Sequence, residues 1–363
     1  MEYIFKDVLD IKNGKNQREV ECPDGQYPIY SSGGVMGYAS DYICEADTVI
    51  IGRKGSINNP IYAEEPFWNV DTAFGLCAKK DILLPKYLFY FCIKFDFERL
   101  NRTVTIPSLT KSDLLKIKIQ VPSLDVQQEV IDKLTKIESI LNFRKQELKL
   151  LDELVRGRFV ELFGDPVVNS KGWEMVELGE LTGIGSSKRI FEKEYVSDGI
   201  PFYRTKEIVE LSKGNTISTE LFITEERYAE IKEKYGVPKT GDLLISAVGT
   251  IGIIWIVDGE NEFYFKDGNL IRVDGSEKFN SVYLKNLLEC LIDEYKKRMS
   301  VGTAYAALTI SGLAKMKVYN APIELQNQFA DFAHQVDKSK LIVQKELDET
   351  QLLFDSLMQE YFG

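Results

Sequence analysis

The chain has 363 residues, 44% of them hydrophobic and 28% charged, which is enough apolar content for sizeable cores and excludes a disordered tail. At roughly 100–200 residues per domain this length fits two domains plus something extra. A net charge of -11 excludes a uniformly basic polyanion binder, and no apolar run approaches the ~20 residues of a membrane span.

The N-terminus shows no basic stretch followed by an apolar core, so no secretory leader is expected. The five cysteines are odd in number and form no CxxC pair, which reads as reduced thiols in a cytosol. In chain order, Asp47-Thr48-Val49-Ile50-Ile51-Gly52 predicts a short buried strand entering a glycine turn. Pro85 to Arg99 predicts a helix. Lys116 to Val121 alternates apolar and polar side chains and predicts a half-exposed strand. Residues 122–165 predict a long helix. The pattern then returns: a strand over Asp242-Leu243-Leu244-Ile245-Ser246, a helix over Tyr283 to Met299, and a second long helix over 321–363.

The return is a repeat. At an offset of 199, Leu109-Thr110-Lys111-Ser112-Asp113-Leu114 lies over Leu308-Thr309-Ile310-Ser311-Gly312-Leu313, and Gln127 over Gln326. Leu162-Phe163-Gly164 lies over Tyr361-Phe362-Gly363. Earlier the offset shrinks: Pro28-Ile29-Tyr30 matches Pro201-Phe202-Tyr203, and Asp47…Gly55 matches Asp242…Gly249. Tyr3 to Leu9 is set over Trp173 to Gly179. Roughly twenty extra residues near 207–240, rich in Glu and Lys, read as a helical insertion in the second copy.

The fold class expected is α/β (α+β): two mixed domains, 1–121 and 166–320, each followed by a long helix, 122–165 and 321–363. Steps of four and three from Val130 to Leu162 mark a coiled-coil seam that includes Leu134, Ile137, Leu141, Leu148 and Leu151. Adding 199 gives a second seam with Val336, Val343, Leu347, Phe354 and Leu357. Each helix would span roughly 60 Å at 1.5 Å per residue. Arg144 and Lys340 interrupt the two seams at different positions, which suits two unlike helices pairing within one chain. The helices carry 10 basic and 17 acidic residues against 35 and 39 in the globular parts, so most of the acid excess sits on them.

Catalytic chemistry finds little support. The single histidine, His334, falls on the second long helix, where a surface or seam place is expected, and no Cys or His cluster spaces a metal. Gly183-Ile184-Gly185-Ser186-Ser187-Lys188 lacks the spacing of a phosphate loop. Asn59-Pro60-Ile61-Tyr62 is similar to the Asn-Pro-Pro-aromatic loop of adenine methyltransferases, but Ile61 replaces the second proline and no glycine-rich methyl-donor turn precedes it. It reads as a turn after a strand.

Recognition chemistry is richer. Basic, hydroxyl and amide side chains, the types that read base edges and phosphates, recur at equivalent places in both copies. The glycine turns give Arg53, Lys54 and Ser56 against Ser246 and Thr250. The segments before the Leu-Thr motif give Arg99, Arg102, Thr103, Thr105 and Ser108 against Lys297, Arg298, Thr303 and Tyr305. Those after the Pro-x-Tyr match give Ser31 and Ser32 against Arg204, Thr205 and Lys206. Lys188 and Arg189 complete the candidate DNA-binding set.

These features together resemble a specificity subunit of a type I restriction–modification enzyme, over the whole chain. The carrying residues are Asp47…Gly-Arg-Lys-Gly55 with Asp242…Gly249, Trp68-Asn69-Val70-Asp71 with Phe265-Lys266-Asp267, and the two Leu-Thr motifs. Gln127 and Gln326 at the helix starts and Leu162-Phe163-Gly164-Asp165-Pro166 between the copies complete the set. The resemblance implies two target-recognition domains, each reading half of a bipartite, asymmetric target in double-stranded DNA. It implies that the helices set the unread spacer and dock modification subunits, two in number, with a restriction (motor/nuclease) subunit joining for cleavage. It further implies a cytoplasmic, non-catalytic chain with no cofactor of its own. The alternatives are a self-contained adenine methyltransferase and a coiled-coil adaptor that does not bind DNA.

Overall fold

A computed structural model describes the chain apart from residues 102, 104 and 300–306 and the Met299 side chain. It divides into two compact units, Met1–Glu147 with Val343–Gly363, and Leu148–Ile342.

The first unit contains β1 (Glu2–Ile4), α1 (Phe5–Val8), β2 (Leu9–Asn13), β3 (Tyr27–Ser31), β4 (Gly34–Ala39), β5 (Thr48–Gly52), β6 (Ile61–Ala63), β7 (Trp68–Asn69) and β8 (Ala73–Ala78). Next come α2 (Pro85–Lys94), α3 (Lys111–Leu114), β9 (Lys118–Gln120) and the start of α4 (Leu124–Phe163). Its strands form three sheets, ordered β1-β9, β2-β8-β5-β6 and β4-β3-β7. β5 is buried at all five positions, flanked on both sides within its sheet; the hydroxyl of Thr48 at its start donates to Glu45 O at 2.8 Å. The helix expected over Pro85–Arg99 breaks at Phe95–Asp96, where the Asp96 carboxylate accepts from Glu98 N and opens a separate 3-10 turn, Phe97–Leu100.

The second unit repeats this order with two helices added. It contains β10 (Met175–Glu177), α5 (Leu178–Leu181), β11 (Ile184–Gly185), β12 (Ile200–Tyr203), α6 (Thr205–Ser212), β13 (Phe222–Ile223), α7 (Glu225–Lys234) and β14 (Leu243–Ser246). β15 (Ile254–Ile256), β16 (Tyr264–Phe265), β17 (Leu270–Val273), α8 (Ser281–Met299), α9 (Ile310–Ala314), β18 (Lys317–Tyr319) and α10 (Ile323–Phe362) follow. Its sheets are β10-β18, β11-β17-β14-β15 and β13-β12-β16. β3 pairs in parallel with β7, and β12 with β16, so the Pro-x-Tyr and Trp-Asn/Phe-Lys motifs are partners in each copy. The insertion of the second copy is α6 and α7. The start of the repeat needs correction: Phe5 at the head of α1 corresponds to Leu178 at the head of α5, both wholly buried, so Tyr3 matches Val176 rather than Trp173.

α4 and α10 are 40 residues each. Every position of both seams is buried or half-buried. The two helices run antiparallel within each unit. In the second unit Lys340 meets Asp152 at 2.8 Å, Arg158 lies over the Phe332 ring, and Phe159 and Phe163 pack edge-on against Phe329. In the first, Arg144 donates to Glu346 O and Thr350 Oγ1 and pairs with the Glu346 carboxylate at 3.3 Å. Thus each polar residue in the seam has its own partner on the facing helix. Phe159, Phe163 and Met358, one residue off the seam, are also buried. A straight helix drifts by about 20° per heptad against a strict seven-residue repeat, and these side chains take up the drift.

One contact repeats with the helices. Gln127 is fully buried. Its Oε1 accepts from Leu84 N at 2.8 Å, and its Nε2 donates to Ile82 O and Pro122 O, both at 2.9 Å. Gln326, equally buried, accepts from Asn280 N at 2.8 Å and donates to Ala321 O at 2.7 Å. Each glutamine therefore ties the first turn of a long helix to the chain entering α2 or α8. Leucine in its place leaves buried backbone groups unpaired. Gln127→Leu is expected to destabilise the first unit by about 2–4 kcal/mol, and Gln326→Leu the second by a similar amount. Urea unfolding followed by circular dichroism reads this; unchanged midpoints in both variants would rule out the glutamines as ties.

Candidate nucleic-acid interface

In the first unit three loops meet. Gly55 N donates to Pro107 O at 3.0 Å, Leu109 N donates to Arg53 O at 2.9 Å, and Lys54 bridges Ser108. The glycine turn and the segment before the Leu-Thr motif are therefore stitched by backbone. The β3–β4 turn lies against them: a Cβ on Gly55 would sit 3.5 Å from Ser32 Oγ, and one on Gly52 would sit 2.3 Å from Ser56 O, an approach only glycine permits. Ser31 Oγ bonds Gly34 O at 3.1 Å within that turn. Ser32, Arg53, Lys54, Ser56 and Ser108 thus form one cluster.

Asn101, absent from the sequence-based set, organises the adjoining loop. Its Oδ1 accepts from Thr103 N, Thr103 Oγ1 and Ser108 N at 2.8–3.1 Å. Thr105 is exposed beside it. Arg99 stands apart, paired with Asp96 at 3.4 Å. A cavity of about 300 Å³ opens at the cluster, lined by Asn13, Arg53, Phe74, Ser108, Thr110 and Lys111. Asn13 and Lys111 also escaped the sequence reading: they come from the end of β2 and the head of α3, distant in sequence from Arg53. Arg53 lies 5.8 Å from the Phe74 ring centroid and donates to Asp71 O at 3.4 Å. Neither Arg53 nor Lys54 has a carboxylate partner among the described residues, so both cations face outward uncompensated.

The second unit keeps the frame and changes the chemistry. Leu308 N donates to Ala247 O at 3.0 Å, and Ile251 N to Gly249 O at 3.0 Å, matching Leu109–Arg53 and Ile57–Gly55. Ser246, however, is wholly buried. Its hydroxyl accepts from Ile253 N at 2.9 Å and bonds Thr250 O at 2.5 Å. It closes the turn from inside, which removes it from the surface set, whereas the Thr250 side chain is exposed.

Four of the candidate cations of this unit have carboxylate partners. Arg189 pairs with Asp267 at 2.7 Å, and Arg204 with the buried Glu207 at 3.0 Å. The Glu207 hydrogen bond holds the Arg204 guanidinium above its ordinary pKa. Lys297 and Arg298 pair with Glu294 at 3.7 and 3.4 Å. Lys188 lies over the Tyr235 ring at 5.2 Å. Lys206 is exposed in the first turn of α6, and Thr205 Oγ1 is buried without a partner. The candidates Arg102, Thr303 and Tyr305 lie outside the described residues.

The Asn-Pro-Ile-Tyr segment runs into β6. Tyr62 is half-buried; its hydroxyl donates to Asp47 Oδ1 at 3.0 Å, and its ring carries the Lys86 ammonium at 4.6 Å. Burial, then the Asp47 bond, pushes the Tyr62 phenol far above its usual range. A tyrosine fixed in this way is not free to stack on a flipped base. His334 is exposed on α10, and all five cysteines are free thiols. Among the described residues no group of three His, Cys, Asp or Glu side chains is placed to hold a metal, and no helix is long and apolar enough to cross a membrane.

Comparison with known proteins places this architecture. The family described as Type I restriction modification DNA specificity domain matches residues 1–152 and 170–351. The chain is 28% identical over 313 residues to the "Putative type I restriction enzyme specificity subunit S.HindORF215P" of Haemophilus influenzae, covering 84% of this chain and 78% of that protein. It is 24% identical over 328 residues to the type I restriction enzyme MjaVIII specificity subunit of Methanocaldococcus jannaschii, covering 84% and 72%. In fold it is similar to the crystal structure of a type I restriction–modification system S subunit from M. genitalium, with a TM-score of 0.64 at 18% identity, covering 100% of this chain and 96% of that one.

Two serines separate frame from surface. Ser246→Ala is expected to lower the stability of the second unit by about 1–2 kcal/mol, because Ile253 N loses its buried acceptor. Ser56→Ala, on the exposed loop, is expected to stay within about 0.5 kcal/mol of the parent. Thermal unfolding of both variants checks this, and equal losses would void the distinction.

Proposed function

We propose that this chain, a member of the type I restriction–modification DNA specificity family, reads a bipartite DNA target, one half with each globular domain. Proteins of this family are non-catalytic recognition subunits, and so is this one. The observation that carries the finer reading is the contrast between a frame whose backbone bonds at the glycine turn recur and loops whose chemistry differs. Arg53, Lys54, Ser56 and Ser108 stand where the second copy has Ala247, Val248, Thr250 and Ala307. Arg and Ser donors on a loop suit phosphates and base edges. Two copies with different loops suit two unlike half-sites.

In this reading α4 and α10 fix the length of the unread spacer. The complex works at the DNA of its host, in the cytoplasm, and the modification subunits bring the methyl donor. Apolar side chains left exposed at equivalent points of the repeat support docking of two such subunits. The first unit exposes Phe143 at 70% and Leu353 at 52%; the second exposes Ile342 at 61% and Leu154 at 50%. These are the same two positions of the repeat. A restriction subunit joins the assembly for cleavage.

Exchange of residues 1–121 for another such domain is expected to change one half of the methylated sequence and leave the other half and the spacer intact, read by methylome sequencing. A change in both halves would overturn modular reading. Arg53→Ala with Lys54→Ala is expected to lower the slope of log affinity against log salt by up to about 2 in the assembled methyltransferase, weakening all sequences. An unchanged slope would take these cations off the DNA.

A further inference from the structure

The second unit holds a notch that the DNA reading does not use. It has a volume of about 430 Å³ and is lined by Tyr203, Trp255, Phe263, Asn215, Asn261, Asp258 and Glu260, among others. That volume lies in the range of small-molecule sites. Leu243 pairs with Ile256 and Ile245 with Ile254. The 257–263 loop therefore leaves the β14–β15 hairpin at the end opposite the glycine turn, and the notch sits at that far end.

Its floor is aromatic. Tyr203 and Phe263 stack at 4.5 Å, and Trp255 meets Phe263 at 5.4 Å. Tyr203 is 5% exposed and Trp255 7%. Yet neither Tyr203 Oη nor Trp255 Nε1 has a hydrogen-bond partner among the described residues, and neither is among the polar atoms sealed from solvent without one. Both nine-tenths-buried side chains line the notch, and each carries a donor that no described protein group engages. With no protein partner, both donors are left to solvent, and a ligand acceptor can take the place of that water. The rim has the opposite need. Asp258 and Glu260 are carboxylates, and Asn215, whose Nδ2 is held by Glu210 at 2.8 Å, offers its carbonyl oxygen. The site calls for acceptors at its floor, N–H groups at its rim, a flat body and no negative charge.

We propose that this notch binds an amine-bearing heterocycle of the nucleobase type, taken up as a nucleoside. A ring nitrogen or carbonyl accepts from Tyr203 and Trp255. The exocyclic amine and sugar hydroxyls donate to Asp258, Glu260 and Asn215. The aromatic walls confine the ring. The carboxylates repel phosphate, so nucleotides and single-stranded DNA bind more weakly than the free nucleoside.

Isothermal titration of the full-length chain with adenosine and cytidine tests this. Saturable one-to-one binding is expected. Asp258→Asn is expected to weaken it about tenfold or more, and Tyr203→Phe, which keeps the ring, several-fold. Adenosine monophosphate and a short single-stranded oligonucleotide are expected to bind less tightly than adenosine. Saturation-transfer NMR on the unaltered chain gives a second reading that needs no variant. Absence of saturable binding by either method would overturn the proposal. So would affinity unchanged in both variants, or tighter binding of the phosphate-bearing ligands. DNA methylation by the complex carrying Asp258→Asn is expected to keep its target sequence, so the outcome is independent of the DNA reading.

Discussion

A single buried amide on each long helix governs how the rest is built. Gln127 and Gln326 sit in the first turns of α4 and α10, where helical N–H groups lack partners within the helix. Each side chain reaches outward to the backbone leading into its own domain's helix and backward to the chain just before the long helix. With its oxygen and nitrogen both engaged in a dry site, it cannot turn without stranding several polar groups at once. Val130 and Leu134 of α4, and Phe329 and Ala333 of α10, pack into the domain cores one to two turns further along and hold the same angle. Every seam contact further along the helix depends on this angle.

The seam then selects the partner. Apolar positions in four-three steps bring two helices together but say little about which two, or in which direction. Arg144 with Glu346 and Thr350, and Lys340 with Asp152, supply that information within each unit. A charge in a seam is tolerated where an opposite charge faces it and is costly elsewhere. Placing the two cations at non-equivalent points of the repeat makes helix-against-copy pairing poorer than pairing of the two unlike helices.

Upon this frame the loops vary with little structural consequence. The backbone bonds that hold the glycine turn recur in both copies, although the residues donating them are Leu109 and Ile57 in one and Leu308 and Ile251 in the other. Because main chain does the holding, the identities of the side chains at Arg53, Lys54 and Ser56 are not fixed by the turn. The second copy shows the converse at Ser246, where a side chain has been drawn into the hold and is lost to the surface.

Periodicity and repetition in the sequence determined the duplication, the mixed domains, the extent of both long helices, the β5 and β14 strands with their glycine turns, and the family resemblance. These are properties of local spacing: an apolar stripe or a strand ending in glycine needs no distant partner to be legible. The three-residue shift at the start of the repeat was not legible, because Phe5 and Leu178 are equivalent by burial and Tyr3 and Trp173 only by aromatic type. Nor was the Arg53 cluster with Asn13, Asn101 and Lys111, since those residues meet only once β2, β5 and the segment before α3 are brought side by side. The demotion of Ser246 and the capture of Tyr62 by Asp47 and Lys86 were likewise decided by tertiary structure. A hydroxyl or an aromatic ring in a turn reads the same in sequence whether it faces water or the core, and only packing against distant strands sets which.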